Sequence, residues 1–220
     1  MNLYLLANII TCIGAFAGFI YGADRFFHPK KAVFAQMITF AAGCMAFGRL
    51  YQVIRLMTSG DIFSRFHLGL LGVIGSLMFF FSANFGLMDT ITDDGAAENQ
   101  KFRIIPAAAP ILAAIVYLVF FLLANQPPVV KTASFFVSFL VACASYFNLK
   151  HYIFPDEYGI ISSLRPYNLL ALCFEFLCVA EMVSQSRNNA AVTLVIGILM
   201  GVALPAIVIS VDRGIQKWSV

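Results

Sequence analysis

The sequence predicts an all-α, polytopic membrane protein of seven transmembrane helices, and three observations carry that prediction. Apolar residues make up 61% of the chain and charged residues 11%, against roughly 45–50% and about 25% in an ordinary soluble domain. Seven segments each offer about 20 predominantly apolar residues, the length that crosses a hydrocarbon core. The connections between them are short; the longest run from Asp89 to Arg103 and from His151 to Arg165, too little chain for a domain. A mean hydropathy of +0.87 agrees.

The first segment, 3–21, follows the start MNLYLLANII, which lacks a basic leader and stays apolar longer than a signal peptide does. It is read as a retained helix, and Gly14, Gly18 and Gly22 form a row along it at four-residue spacing. The second, 33–57, carries Arg49, Tyr51, Gln52 and Arg55 within or near the span. The third, 68–88, carries Ser76, Ser82 and Asn84, and the fourth, 104–124, is almost wholly apolar. The fifth, 132–150, lines one face with Ser134, Ser138, Ala142 and Ser145. The sixth, 166–186, opens on a proline and holds Asn168, Glu175 and Glu181. The seventh, 190–211, repeats the small-residue spacing in Gly197 and Gly201, then meets Pro205, which removes a backbone hydrogen bond and predicts a kink. Rows of small residues let helix backbones approach closely in lipid, either within the chain or against a second copy or a membrane partner.

Lysine and arginine set the orientation. Arg25, Lys30, Lys31, Lys101, Arg103, Lys150, Arg165, Arg213 and Lys217 fall on one side; Arg55, Arg65, Lys131 and Arg187 fall on the other. This places the N-terminus outside and the C-terminus in the cytoplasm, in a multi-pass protein of the plasma (cell) membrane. Asp89, Asp93, Asp94 and Glu98 dilute the positive charge of the third connection, which reads as a solvated loop.

A repeat is also suggested. A shift of 126 residues lays YGADRFFHP (21–29) on FNLKHYIFP (147–155), Arg49 on Glu175, Val53 on Val179 and Arg55 on Glu181; a shift of 122 lays VIGSLM (73–78) on VIGILM (195–200). The chain then reads as one transmembrane domain, 1–220, with repeats 1–88 and 132–211 joined by helix 104–124. This 3+1+3 plan resembles, in layout across the chain, the seven-helix class that includes PQ-loop sugar transporters and microbial rhodopsins. The motifs of those families are missing: the seventh helix has no lysine for a retinal Schiff base, and no Pro-Gln pair occurs. The histidine cluster of seven-helix ceramidase-type hydrolases is also lacking.

Charge inside a span costs about 2.5–3.5 kcal/mol on insertion scales and faces a partner or a watery cavity. Arg49 and Glu175 are opposite in sign and match in the repeat, so the expected pair is Arg49–Glu175, with Arg55 and Glu181 paired or reaching outward. Such a pair either fixes helix register or forms a ligand or coupling site, with Gln52, Tyr51, Asn84 and Asn168 completing a polar pocket. Asn168 and Glu175 share a face of the sixth helix.

Other chemistry finds no footing. His28, His67 and His151 lie at the ends of segments without carboxylates or cysteines at ligand spacing, so neither a metal nor haem is expected. Cys12, Cys44, Cys143, Cys173 and Cys178 sit in apolar segments without a C-x-x-C pair. No G-x-S-x-G element, phosphate-cradling loop or EF-hand loop is present, and nothing recommends an enzyme. The net charge of +3 is spread too thinly for nucleic acid. No cofactor is expected. Two functions survive: a protein that binds or transports a small polar or charged solute at a mid-membrane site, or a non-catalytic subunit or signalling partner whose intramembrane charges are structural.

Overall fold

The computed structural model describes residues 2–28, 32–58, 67–89, 93, 95–123, 127–155 and 159–218. Pro29, Lys30, Lys31, Arg65 and Asp94, which bear on the repeat and the orientation, lie outside them. The described residues are helical with no strand, and seven helices are long and apolar enough to cross a membrane. They are α1 (Leu3–Phe26), α2 (Val33–Thr58), α3 (Leu68–Ala83), α4 (Ala108–Leu123), α5 (Pro128–Ile153), α6 (Ile160–Ser186) and α7 (Ala190–Trp218). Short turns over Ala97–Asn99, Gln100–Ile104 and Ile105–Ala107 lead into α4, so that Ala97–Leu122 forms one span.

Local chemistry explains the ends. Asn2 accepts the Tyr4 N–H at 3.0 Å to start α1, and the His67 ring accepts that of Leu70 at 3.2 Å to start α3. Gly159, at φ 72°, makes the left-handed turn into α6, and the hydroxyls of Ser162 and Ser163 donate back to its carbonyl. Several helices run past the apolar stretch, because the backbone keeps its hydrogen bonds as side chains enter the headgroup zone. Thus α1 continues to Phe26 and α7 to Trp218, rather than ending at 21 and 211. The sixth starts at Ile160 rather than 166 and takes Pro166 into its second turn. Near its C-terminus α3 widens into a π-helical turn, Asn84–Met88.

Packing closes six helices into a ring. α1 lies against α2 and α7, α2 against α3, α3 against α5, α5 against α6, and α6 against α7. α4 stands outside, mainly against α5, and its span is only 22% buried, whereas that of α2 is 61% buried. The core joins Ile38, Met45, Leu77, Phe80, Leu164, Phe174, Met200, Leu204 and Ile207, with the Phe80 and Phe174 rings 5.7 Å apart between α3 and α6. The outer surface is an apolar belt that includes Ile13, Phe47, Ile115 and Val202, as a lipid-facing surface requires.

The glycine rows are used inside the chain. A Cβ on Gly14 would lie 1.9 Å from the Gly201 carbonyl oxygen, and one on Gly197 would lie 2.9 Å from Ala7. The backbones of α1 and α7 therefore touch, and the Thr11 hydroxyl donates to the Gly197 carbonyl at 3.0 Å. A second close approach joins Gly48 of α2 to Gly72 of α3, where an added Cβ would meet the opposite Cα at 2.5–2.8 Å.

Candidate functional site

Two polar centres lie within the ring and a third closes one end. The first is Arg49. From α2 its Nη1 donates to Asn8 Oδ1 of α1 at 3.1 Å, to Gln52 Oε1 at 3.0 Å and to Glu181 Oε1 of α6 at 2.7 Å; Nη2 donates to Glu181 Oε2 and approaches Met200 Sδ of α7 at 3.9 Å. Arg49 is 1% exposed and Glu181 6%. The pair is bidentate, the geometry in which guanidinium and carboxylate bind most strongly. Gln185 adds a bond to Glu181 at 3.2 Å, so the carboxylate is held from two sides.

The partner of Arg49 is thus Glu181 and not Glu175, which corrects the expected pairing. A sequence match between two helices carries no information about which way each side chain faces, so it does not by itself bring the matched positions into contact. Glu175 and Glu181 are six residues apart, about 240° round a helix, so they face different neighbours. Arg55 is half-buried further towards the N-terminal end of the bundle, and the expected alternative pairing would need the Glu181 carboxylate that Arg49 binds through both oxygens. Tyr51 turns away from Arg49 and stacks on His67 with ring centroids 6.2 Å apart.

Glu175 belongs to a second centre. Its Oε1 accepts from Asn148 Nδ2 of α5 at 2.6 Å; Asn148 Oδ1 accepts from Asn84 Nδ2 of α3 at 2.9 Å, and Tyr167 Oη of α6 accepts from the same amide at 3.1 Å. All four side chains are completely buried. Three polar groups here meet no hydrogen-bond partner: Glu175 Oε2, Asn84 Oδ1 and both ends of the Asn168 amide, which is 1% exposed. The π-helical turn begins at Asn84, and such turns are frequent at functional positions. Glu175 has about 22 Å of helix on one side and about 16 Å on the other at 1.5 Å per residue, so it lies near the middle of α6.

Asn148 and Tyr167 were not singled out by sequence. Asn148 does continue the spacing of Ser134, Ser138 and Ser145, all buried on the same face of α5, so that row could have signalled it. Ser76 is fully buried and its hydroxyl also has no partner, as does that of Ser138.

The third centre overturns the reading of the acidic connection as a solvated loop. Lys150 of α5, almost fully buried, reaches Asp89 and Asp93 at 2.6 Å each. His151 Nε2 lies 3.2 Å from Asp89, and Arg103 clasps Asp93 through Nε at 2.8 Å and Nη2 at 2.5 Å. The Tyr146 hydroxyl donates to the Arg103 carbonyl at 3.0 Å. Arg103 above all, then Lys150 and the Gly95 N–H, holds the Asp93 carboxyl far below its ordinary value despite some burial. Burial pushes Asp89 up, but hydrogen bonds from His151 and Lys150 outweigh it and leave that carboxyl lowered as well. The network ties the end of α3 and the approach to α4 onto the end of α5.

At the same end, Asp212 of α7 accepts from the Tyr21 hydroxyl at 2.7 Å and from Gln216 at 3.0 Å. A cavity of about 350 Å³ opens beside it, lined by Asp24, Arg25, His28 and Gln216 among others. Among the described residues no group of three or more His, Cys, Asp or Glu side chains could hold a metal. The arrangement is therefore one of charge and hydrogen bonding: a buried ion pair, a buried acid among amides, and an ionic clasp. No family model matches the chain, and neither a curated protein nor a solved structure does.

Proposed function

We propose that this membrane protein binds or carries a small polar or charged solute inside the six-helix ring, at the junction of α3, α5 and α6 around Glu175. One observation carries the reading: Glu175 Oε2 and Asn84 Oδ1 are buried without partners in one hydrogen-bonded network, and the equally unpartnered Asn168 amide lies about two turns away on the same face of α6. Away from water an unmet polar group costs a large part of its desolvation energy, and three together are met by a polar molecule more readily than by lipid. Glu175, Asn84, Asn168, Asn148 and Tyr167 are the proposed solute contacts. Arg49 and Glu181 form the ion pair that flanks the site, with Gln52 bonded to Arg49, and Tyr51 and Arg55 lie beyond it.

The 3+1+3 reading belongs to the same proposal. A ring in which α1 meets α7 and α3 meets α5, with α4 outside, is the arrangement two three-helix units would make. Transporters built from repeats place their sites between them. The distribution of Lys and Arg supports an outside N-terminus in the plasma membrane.

The test is a melting-temperature panel on the purified protein with sugars, zwitterionic amino acids, carboxylates and organic cations. A solute that raises the melting temperature of the wild type but not of Glu175→Gln or Asn168→Ala supports the site. If no class shifts the wild type, or if the shift survives both substitutions, the reading fails.

The complete internal satisfaction of Glu181 and of the Arg49 Nη groups favours a second reading, a non-catalytic subunit whose charges are structural. On that reading a partner docks elsewhere than on the glycine rows, since those already join α1 to α7. Co-purification of a stoichiometric membrane partner, with a silent solute panel, would establish it.

A further inference from the structure

Glu175 is an acid without a counter-charge. Asn148 offers Oε1 one N–H, and Oε2 meets nothing. Ionised groups on the surrounding helices are engaged elsewhere or missing. On α6, Glu181 is held by Arg49 of α2, and the other ionisable side chains within eight residues of Glu175 are Tyr167, Cys178 and Cys173, the last exposed on the outer surface. On α5, Lys150 and His151 turn to Asp89 and Asp93, Tyr146 turns to Arg103, Lys131 lies over the Phe121 ring, and Cys143 carries a thiol. From Leu68 to Met88, α3 has no ionisable residue; α7 has none from Ala190 to Val211, and α4 has only Tyr117.

A carboxylate in this place would be an isolated ion within the membrane, the arrangement that buried sites avoid most strongly. The neutral acid matches what surrounds it. Its carbonyl oxygen, Oε1, accepts from Asn148, and Oε2 carries the hydroxyl. We propose that Glu175 is a proton-binding site, holding a proton on Oε2 in this closed form and exchanging it with water at the end of the bundle where Asp89 and Lys150 meet. The link to solute movement rests on the function proposed above; the proton site itself does not.

The route follows the seam between α3 and α5. Asn148 is three residues from His151 on one face of α5, and Asn84 is one π-helical turn from Asp89 on α3. Asn148, which contacts Glu175, and Asn84, which contacts Asn148, are thus continuous with the ionic clasp at the end of the seam. When Lys150 leaves Asp89 and Asp93, water reaches Asn148 and then the acid. The O–H bond at Oε2 breaks, the proton passes to that water, and the carboxylate left behind is neutralised by the next proton or by an incoming cationic group. No redox partner is involved.

The test is infrared spectroscopy of the purified full chain in lipid at neutral pH, in H₂O and after transfer to D₂O. The expected result is a carboxylic-acid carbonyl band that shifts on deuteration, is lost in Glu175→Gln and moves in frequency in Glu175→Asp. Lys150→Gln, which loosens the clasp, should make the deuterium shift appear several-fold sooner. Absence of the band from the wild type, or its persistence in Glu175→Gln, overturns the proposal. If Glu175→Gln does not fold, an unchanged band in Glu175→Asp overturns it equally. A positive band alongside a silent solute panel would leave the proton site standing and dismiss the solute reading.

Discussion

Replacing Glu181 by glutamine strands the guanidinium of Arg49, and the cost can be worked from its surroundings. Arg49 is 1% exposed, and once the bidentate carboxylate is gone it keeps the Asn8 and Gln52 oxygens at 3.1 and 3.0 Å and the Met200 sulfur at 3.9 Å. No negative charge remains to balance it. Breaking one side of a buried pair costs about 3–5 kcal/mol, a large share of the roughly 5–15 kcal/mol by which a folded protein is stable. For a chain of this size each kcal/mol moves the melting temperature by roughly 2–4 °C, so a loss of about 6–20 °C is expected. Arg49→Met alone should fall in the same range, because it strands Glu181. The double variant Arg49→Met with Glu181→Leu leaves no ion to strand and should recover most of the loss. The assay is thermal or denaturant unfolding in detergent micelles, arranged as a double-mutant cycle with a coupling expected to exceed about 2 kcal/mol. A parallel cycle of Arg49→Met with Glu175→Gln, whose side chains share no hydrogen-bond partner, should add within about 0.5 kcal/mol. Additivity in the first cycle, or strong coupling in the second, refutes the pairing described here.

Other substitutions test other joints. Gly14→Ala sets a methyl group 1.9 Å from the Gly201 carbonyl oxygen, where a carbon needs about 3.3 Å, so α1 and α7 must part by about 1.4 Å and the loss should reach about 3 kcal/mol or more. Gly86→Ala, whose methyl meets nothing within 4 Å, should stay within about 0.5 kcal/mol in the same unfolding assay. Asp93 and Asp89 both have carboxyls lowered by folding, so the stability they add is whole above the ordinary aspartate value of about 3.9 and drains away as pH falls below it. Melting temperatures measured down to about pH 2 should fall more steeply for the wild type than for Asp93→Asn; equal slopes would remove the ionic clasp as a source of stability. Asn148→Leu deletes the donor to Glu175 Oε1, so the carboxylic-acid infrared band should move to higher frequency, and an unmoved band would deny that bond.

What was readable in the sequence follows from what lipid penalises. Each spanning helix announces itself because about 20 apolar residues in a row have few other homes. Arg49, Glu175 and Glu181 stood out for the converse reason, since an ion in such a row must be compensated by something. Their partners could not be read in the same way. Which neighbour a side chain meets depends on its angle about the helix and on which helices adjoin, and the repeat alignment carries neither quantity. Hence the alignment matches Arg49 with Glu175, although the packing presents Glu181. The clasp was hidden for another reason: Asp89, Asp93 and Arg103 have the composition of a wet loop, and only the return of that segment onto the end of α5 brings them to Lys150.

Compensation also separates the buried acids by role. Glu181 is met by two guanidinium nitrogens and an amide, so its charge is settled within the fold and it holds α6 to α2. Asp93 is met by Arg103 and Lys150 and ties the loop to α5. Glu175 has one amide donor and an empty second oxygen in the middle of its helix. A structural acid does not need to sit there, because a leucine would fill the space at no electrostatic cost. An acid whose neighbours leave its charge unsettled is instead suited to a variable partner, a proton or a solute that comes and goes. That difference in compensation, more than burial, distinguishes Glu175 from the better-bonded Arg49.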